Sequence, residues 1–302
     1  MSEPLGLLLV DKPGGVTSHG VVARARRALG TRKVGHAGTL DPMATGLLVL
    51  GVGRATRLLT YLVGADKEYL ATIRLGQSTI TDDAEGEVTQ AVGARVVGTE
   101  ELDAALGELT GDIRQVPSAV SAIKVDGKRS YARVRAGESV ELPARPVTVH
   151  SLQRGEPRPA TAPGGTAVTD VEVVVECSSG TYIRAIARDL GAALGVGGHL
   201  TSLRRTRVGA FRVDDSVPLD SLTTAAPGSA GEFLLPLGPA CRAIFPGIDL
   251  DGALARELRY GRPIPPVPDE GIWAAFDEEG GVIGLVQNRE GRARPVLVLD
   301  PA

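Results

Sequence analysis

The segment Gly35-His36-Ala37-Gly38-Thr39-Leu40-Asp41-Pro42-Met43-Ala44-Thr45-Gly46 sets one carboxylate, Asp41, among small and glycine residues that suit neither a regular helix nor a strand. The apolar run Leu47-Leu48-Val49-Leu50 follows at once and reads as a buried strand. A side chain on a loop that leans on such a strand is both exposed and held, which suits a reactive carboxylate. Spacing alone equally allows Asp41-Pro42 to be a helix N-cap followed by proline at the first helical position. A second candidate is the pair Arg184 and Arg188, four residues apart near the start of an amphipathic helix predicted over Tyr182–Leu194. Cations are disfavoured in a first helical turn, and like charges at this spacing repel, so the pair points to a carboxylate or phosphate nearby. Tyr69 lies on the apolar face of a strand predicted from Tyr69 to Leu75, where its plain reading is a core ring with a polar tip.

The elements that must position these residues follow from periodicity. A short strand spans Leu5 to Val10, and a helix with one arginine-rich face spans His19 to Leu29. Glu100–Leu109 reads as a helix, and Val147–Leu152 and Val168–Cys177 as paired strands. Between those strands, residues 155–165 are expected to be a mobile proline- and glycine-rich loop. Helices and strands do not alternate regularly, so an α+β fold with a mixed central sheet flanked by helices and loops is expected. The domains expected are a catalytic one, 1–245, and a smaller one, 246–302. The latter has three short strands, near 271–276, 281–286 and 294–299, and reads as a small β-barrel.

Composition narrows the function classes. With 302 residues, 43% of them hydrophobic, the chain can bury a sizeable core. No apolar run approaches the ~20 residues needed to span a bilayer, and no basic stretch leads into an apolar leader, so a cytoplasmic protein without a membrane partner is expected. Cys177 and Cys241 are too isolated for a disulfide framework or a zinc site. The net charge is −3, but the charges are segregated. Basic residues gather at Arg24–Lys33, Lys124–Arg135 and Arg204–Arg212; acids gather at Asp82–Glu87 and Glu100–Glu108. A basic face on an acidic chain suits a phosphate backbone. Gly46–Gly53 lacks the third glycine of a dinucleotide fingerprint, and neither Gly-x-Ser-x-Gly nor His-Glu-x-x-His is present.

Six motifs in order resemble the TruB family of tRNA pseudouridine synthases over roughly the first 215 residues. They are Val10–His19, Gly35–Gly46, Lys67-Glu68-Tyr69 with Leu75-Gly76, Pro117–Ala132, Gly180-Thr181-Tyr182-Ile183-Arg184 and His199–Thr206. Val120 departs from the aromatic ring that many relatives carry there. The resemblance implies a pseudouridine synthase fold with a C-terminal PUA-like RNA-binding barrel. It implies isomerisation of uridine-55 in the tRNA T-loop, with Asp41 as the essential residue, acting on the sugar, on the base or on a ribose proton. Arg184 would pair with Asp41; Tyr69 would stack on the uracil and could move a proton. Tyr182 and Leu203 would shape the pocket, and His36 would sit beside the flipped-out nucleotide. Lys12 would support the Asp41 loop. The insertion, residues 124–145, would be a mobile element whose Lys124, Lys128 and Arg129 meet phosphates. The implied partner is the tRNA T-arm, bound by a monomer with no obligatory protein partner, no metal and no cofactor. The alternative is a non-catalytic tRNA-binding or tRNA-folding protein that keeps the fold.

Overall fold

The computed structural model describes residues 3–94, 97–118, 142–226 and 229–302, and the backbone of 124–125 and 128–129. Val120 and most of the expected insertion lie outside the described residues, as do the side chains of Lys124, Lys128 and Arg129. The strands in chain order are β1 (Gly6–Lys12), β2 (Val34–His36), β3 (Thr45–Val52), β4 (Lys67–Leu75), β5 (Ser78–Thr79), β6 (Val88–Gln90) and β7 (Gly111–Gln115). Next come β8 (Lys124–Val125), β9 (Lys128–Arg129), β10 (Arg145–Arg154), β11 (Arg158–Thr161), β12 (Ala167–Cys177) and β13 (Gly198–Val208). The last are β14 (Phe211–Arg212), β15 (Val217–Pro218), β16 (Gly247–Asp249), β17 (Ile272–Phe276), β18 (Val282–Arg289) and β19 (Arg292–Val298).

Two compact units divide the chain discontinuously. One holds 1–40, 47–63 and 209–302; the other holds 41–46 and 64–208. The second unit is built on the order β13-β4-β12-β10-β7. β4 runs between β13 and β12 and alternates cleanly: Lys67, Tyr69, Ala71, Ile73 and Leu75 are buried, while Leu70 is exposed. Its ladders place Tyr69 opposite Val175 on one side and Arg205 on the other, both antiparallel. Thr45 and Gly46 pair in parallel with Arg204 and Arg205, so the pairing is mixed. The helix Ile183–Ala193 covers β13 closely: a Cβ on Gly191 would collide with the backbone of Gly197 and Gly198. The proline- and glycine-rich stretch 155–165 is a hairpin arm rather than a free loop. β11 pairs Arg158–Thr161 with Ala167–Asp170 of β12, and Pro159 is tolerated because β11 is an edge strand.

In the first unit, β1 pairs in parallel with β15 and β2 antiparallel with β3. Val21, Val22 and Ala25 of the helix Ser18–Leu29 join Leu8, Val10, Leu48, Leu50 and Val52 in one core. Thr17 Oγ1 caps that helix by accepting from Gly20 N at 3.0 Å, as its residue type favours. The C-terminal strands form an open four-stranded sheet, β16-β17-β18-β19, instead of the closed barrel expected from periodicity. β16 is a three-residue edge strand parallel to β17, and among the described residues no ladder joins it to β19. The helix Gly252–Arg259, capped by Asp251, contributes Ala255 and Leu258 to a core with Ala275, Ile283 and Val286. Among the described residues no helix is long and apolar enough to cross a membrane.

Candidate active site

Asp41 opens a short turn in which Ala44 N donates to Asp41 O at 3.1 Å, and β3 begins one residue later. No helix follows, so the N-cap reading of Asp41-Pro42 is not realised. The turn lies against β13 because Gly46 adopts φ +96, where a Cβ would collide with the Arg205 backbone. Strand pairing, rather than a cap, therefore orients the carboxylate.

Arg184, the second residue of its helix, faces that carboxylate. Its Nε lies 3.0 Å from Asp41 Oδ2, and its Nη1 donates to Thr81 O at 2.8 Å. Asp83 Oδ2 lies 3.5 Å from the same Nη1. The side chains of Arg184 and Asp83 are 5% and 3% exposed, whereas that of Asp41 is 37% exposed. An accessible carboxylate is thus gripped from behind by a buried, doubly countered guanidinium. A charge-assisted pair of this kind restricts the rotamer of the carboxylate. Burial first, then the charges of Asp83 and Asp41, hold the Glu85 carboxyl above its usual range, against a hydrogen bond from the Met43 backbone.

Tyr69 is buried beside this group. Burial pushes its phenol above the usual value; Arg205's charge and hydrogen bond pull it down, and Asp41 pushes it up. The ring therefore stays protonated at neutral pH with its polar tip near both charges. Leu203, buried on β13, lies opposite Ala71 of β4. Tyr182 is held through its backbone: its N donates to Gln115 Oε1 at 2.8 Å and its O accepts from Gln115 Nε2 at 3.1 Å. Asp41, Tyr69 and Arg184 thus share one unit with Tyr182 and Leu203. His36 belongs to the other unit, where its ring meets His19 edge-on at 5.4 Å. Lys12 is buried in that unit, and its Nζ donates to Pro13 O at 3.0 Å and Val16 O at 2.7 Å across the turn after β1.

Sequence reading missed Asp82, Asp83, Gln115 and Arg205. The acids at 82–87 stood out only as a charge cluster, yet Asp83 is 2% exposed and lies beside Arg184. The only signal was the like-charged pair Arg184 and Arg188, one turn apart, which pointed to an anion nearby without saying which. Among the described residues no group of three or more His, Cys, Asp or Glu side chains is arranged to hold a metal ion.

Residues 26–183 match the family model described as TruB family pseudouridylate synthase, N-terminal domain. Residues 184–237 match the tRNA pseudouridylate synthase B C-terminal domain, and 245–300 the C-terminal region of tRNA pseudouridine synthase II. The tRNA pseudouridine synthase B of Mycobacterium leprae is 55% identical over 296 residues, covering 98% of this chain and 91% of that relative. The protein of the same name from Streptomyces coelicolor is 54% identical over 301 residues, covering 98% of both. Among solved structures, an H/ACA RNP bound to a substrate RNA containing 2′-deoxyuridine aligns with a TM-score of 0.72 at 22% identity. A Cbf5-Nop10-Gar1 complex aligns with a TM-score of 0.73 at 24% identity. Each alignment covers 99% of this chain and 86% of the other, and at these identities each carries the fold alone.

Proposed function

The chain belongs to the TruB family of pseudouridylate synthases, and from that premise we infer that it isomerises uridine in tRNA to pseudouridine. The fold is the pseudouridine synthase fold in mixed α+β form. The target is uridine-55 of the T-loop, the activity that the family resemblance implies. The reaction breaks the C1′–N1 bond, turns the uracil and forms a C1′–C5 bond; N1 gains a proton and C5 loses one. Atoms balance without an oxidant, a reductant or a carried group.

Asp41 is the reactive carboxylate. The observation that carries this reading is that the Asp41 side chain, 37% exposed, places its Oδ2 3.0 Å from the Nε of a buried Arg184. A partly exposed carboxylate held by this pair can attack the sugar or the base, or take a ribose proton. Tyr69 packs against the extruded uracil, and its protonated phenol is available for proton transfer. Tyr182 and Leu203 shape the pocket, and His36 meets the flipped-out nucleotide. The C-terminal sheet takes the PUA-like RNA-binding role, and Lys124, Lys128 and Arg129 meet phosphates of the T-arm. The protein acts on tRNA in the cytoplasm as a monomer without an obligatory protein partner, metal or cofactor.

Asp41→Asn tests the reading directly. The swap removes the ionisable oxygen and little volume, so pseudouridine mapped at nucleotide resolution in exposed tRNA should vanish. Affinity for tRNA, dominated by phosphate contacts, should stay within about three-fold of wild type. Turnover by Asp41→Asn near the wild-type rate would sink the assignment. A wild-type protein that binds tRNA yet leaves every uridine unchanged would establish the non-catalytic alternative.

A further inference from the structure

Beneath the Asp41–Arg184 pair lies a turn held both by its own bonds and from outside. Residues 79–86 fold around Asp83: Thr79 Oγ1 donates to Asp83 O at 2.8 Å, Thr81 Oγ1 to Asp83 Oδ1 at 2.5 Å, and Glu85 N to Asp83 Oδ1 at 3.0 Å. Asp82, at the corner, has φ +58, a left-handed conformation. A residue other than glycine is disfavoured there, and the contacts around the corner hold it in place. The corner nevertheless presents both groups that Arg184 uses from this side, Thr81 O and the Asp83 carboxylate.

Beside the backbone bond from Leu200 N to Asp82 O at 3.0 Å, side chains from outside the turn hold the corner. Arg188 Nη1 lies 3.5 Å from Asp82 Oδ2, and its Nη2 donates to Val116 O at 2.8 Å. Asp189 Oδ1 lies 2.8 Å from Arg188 Nη2 and flanks the guanidinium from its own helix. Ser118 Oγ donates to Asp82 Oδ2 and sits 3.3 Å from Thr81 O. Arg184 and Arg188 stand one turn apart on the same helix, and each takes one of two successive aspartates. That arrangement sets the register of the helix against the turn and converts a like-charge pair into a two-pronged clasp. Burial pushes the Asp82 carboxyl above its usual range, opposed by Ser118 and Arg188, so the clasp helps keep it ionised.

We propose that Asp82 and Arg188 are positioning residues for the isomerisation, a latch that holds Thr81 O and Asp83 against Arg184 and so sets the angle at which Arg184 grips Asp41. Neither residue touches the reacting atoms. The proposal rests on the reading of Asp41 and Arg184 as the reactive pair. Reorienting Arg184 leaves Asp41 present but misaimed, and misplacement on the ångström scale slows a chemical step on the order of tenfold to a hundredfold.

Single-turnover pseudouridine formation on saturating tRNA, with tRNA Kd measured alongside, tests the latch in Arg188→Ala, Asp82→Asn and their combination. Both single variants should be at least about tenfold slower with Kd within about twofold. The double variant should be no slower than the worse single one, because both substitutions open the same latch. Arg188→Lys, which keeps the charge, should recover part of the rate. Asp82→Asn preserves shape, and asparagine tolerates the left-handed region, so it reports on the latch even if Arg188→Ala folds poorly. Wild-type rates in both singles, additive losses, or a rate loss matched by an equal rise in Kd, the mark of a phosphate contact by Arg188, would each overturn the proposal. Asp41→Asn run in parallel separates the two readings. Activity in Asp41→Asn defeats the underlying assignment, whereas an inactive Asp41→Asn beside a fully active Arg188→Ala defeats the latch alone.

Discussion

At the residue scale, the Arg184 side chain is buried while that of Asp41 is partly exposed. The charge that is costly to bury is offset by Asp83 and Thr81 O, while the Asp41 carboxylate stays partly exposed. Lys67 shows the opposite balance. It is 5% exposed, and burial first, then the charge of Arg205, brings its amine down to about 8. The folded chain therefore binds fewer protons than the unfolded chain between about pH 8 and the ordinary lysine value near 10.4, and in that window stability rises with pH. Lys67→Met removes this linkage with little change of volume. Melting temperatures of the two proteins from pH 7 to pH 10 should show wild type gaining on the variant as pH passes 8. Parallel curves would mean that Lys67 keeps an ordinary value in the fold.

At the scale of elements, the site is a loop laid on a strand and a helix laid on the same strand. β13 carries both: Arg205 pairs with Gly46 on one side and with Tyr69 on the other. Gly46→Ala would place a methyl against the Arg205 backbone at φ +96. The loop must move, so a loss of about 1–3 kcal/mol of stability and at least tenfold in kcat is expected. Thermal melts and steady-state kinetics check this together; a variant with wild-type values for both would show that the loop is not held by this contact. Periodicity located these elements well. The strand expected from Tyr69 runs Lys67–Leu75, and the helix expected over Tyr182–Leu194 runs Ile183–Ala193. β11 was missed because Pro159 and Gly155 read as loop residues, and only pairing with β12 makes the stretch a strand.

For the whole molecule, the C-terminal sheet does more than form a module of its own. Leu58 packs in one cluster with Cys241, Ala274, Phe276, Leu285 and Leu299, and Arg54 Nη1 donates to Leu299 O at 3.0 Å. Removing residues 246–302 would strip these partners from Leu58 and Cys241, each buried apolar side chain being worth about 1.5–3 kcal/mol. A chain ending at residue 245 should melt well below the full protein or aggregate; unchanged melting would show that residues 1–245 stand alone. Charge segregation gives a second test at this scale. Replacing Lys128 and Arg129 with alanine should raise KM and lower the salt slope of tRNA binding by about 2, with kcat little changed. An unchanged slope would remove both side chains from the phosphate contacts.

Local information in the sequence determined the residue types that could react, the periods of the main helices and strands, and, through six motifs, the family. Those are properties of neighbours along the chain, where side-chain spacing and backbone preference act directly. What only the tertiary structure decided is the company each reactive group keeps. Residues 41 and 184 meet because β3 and the 183–193 helix both dock on β13, and Asp82 and Asp83 become counter-ions because a left-handed corner turns them under that helix. The same holds for the C-terminal sheet, whose strands were legible while its open edges were not. Strand order and ion pairing join residues distant in sequence, and their energies depend on burial that no local pattern records.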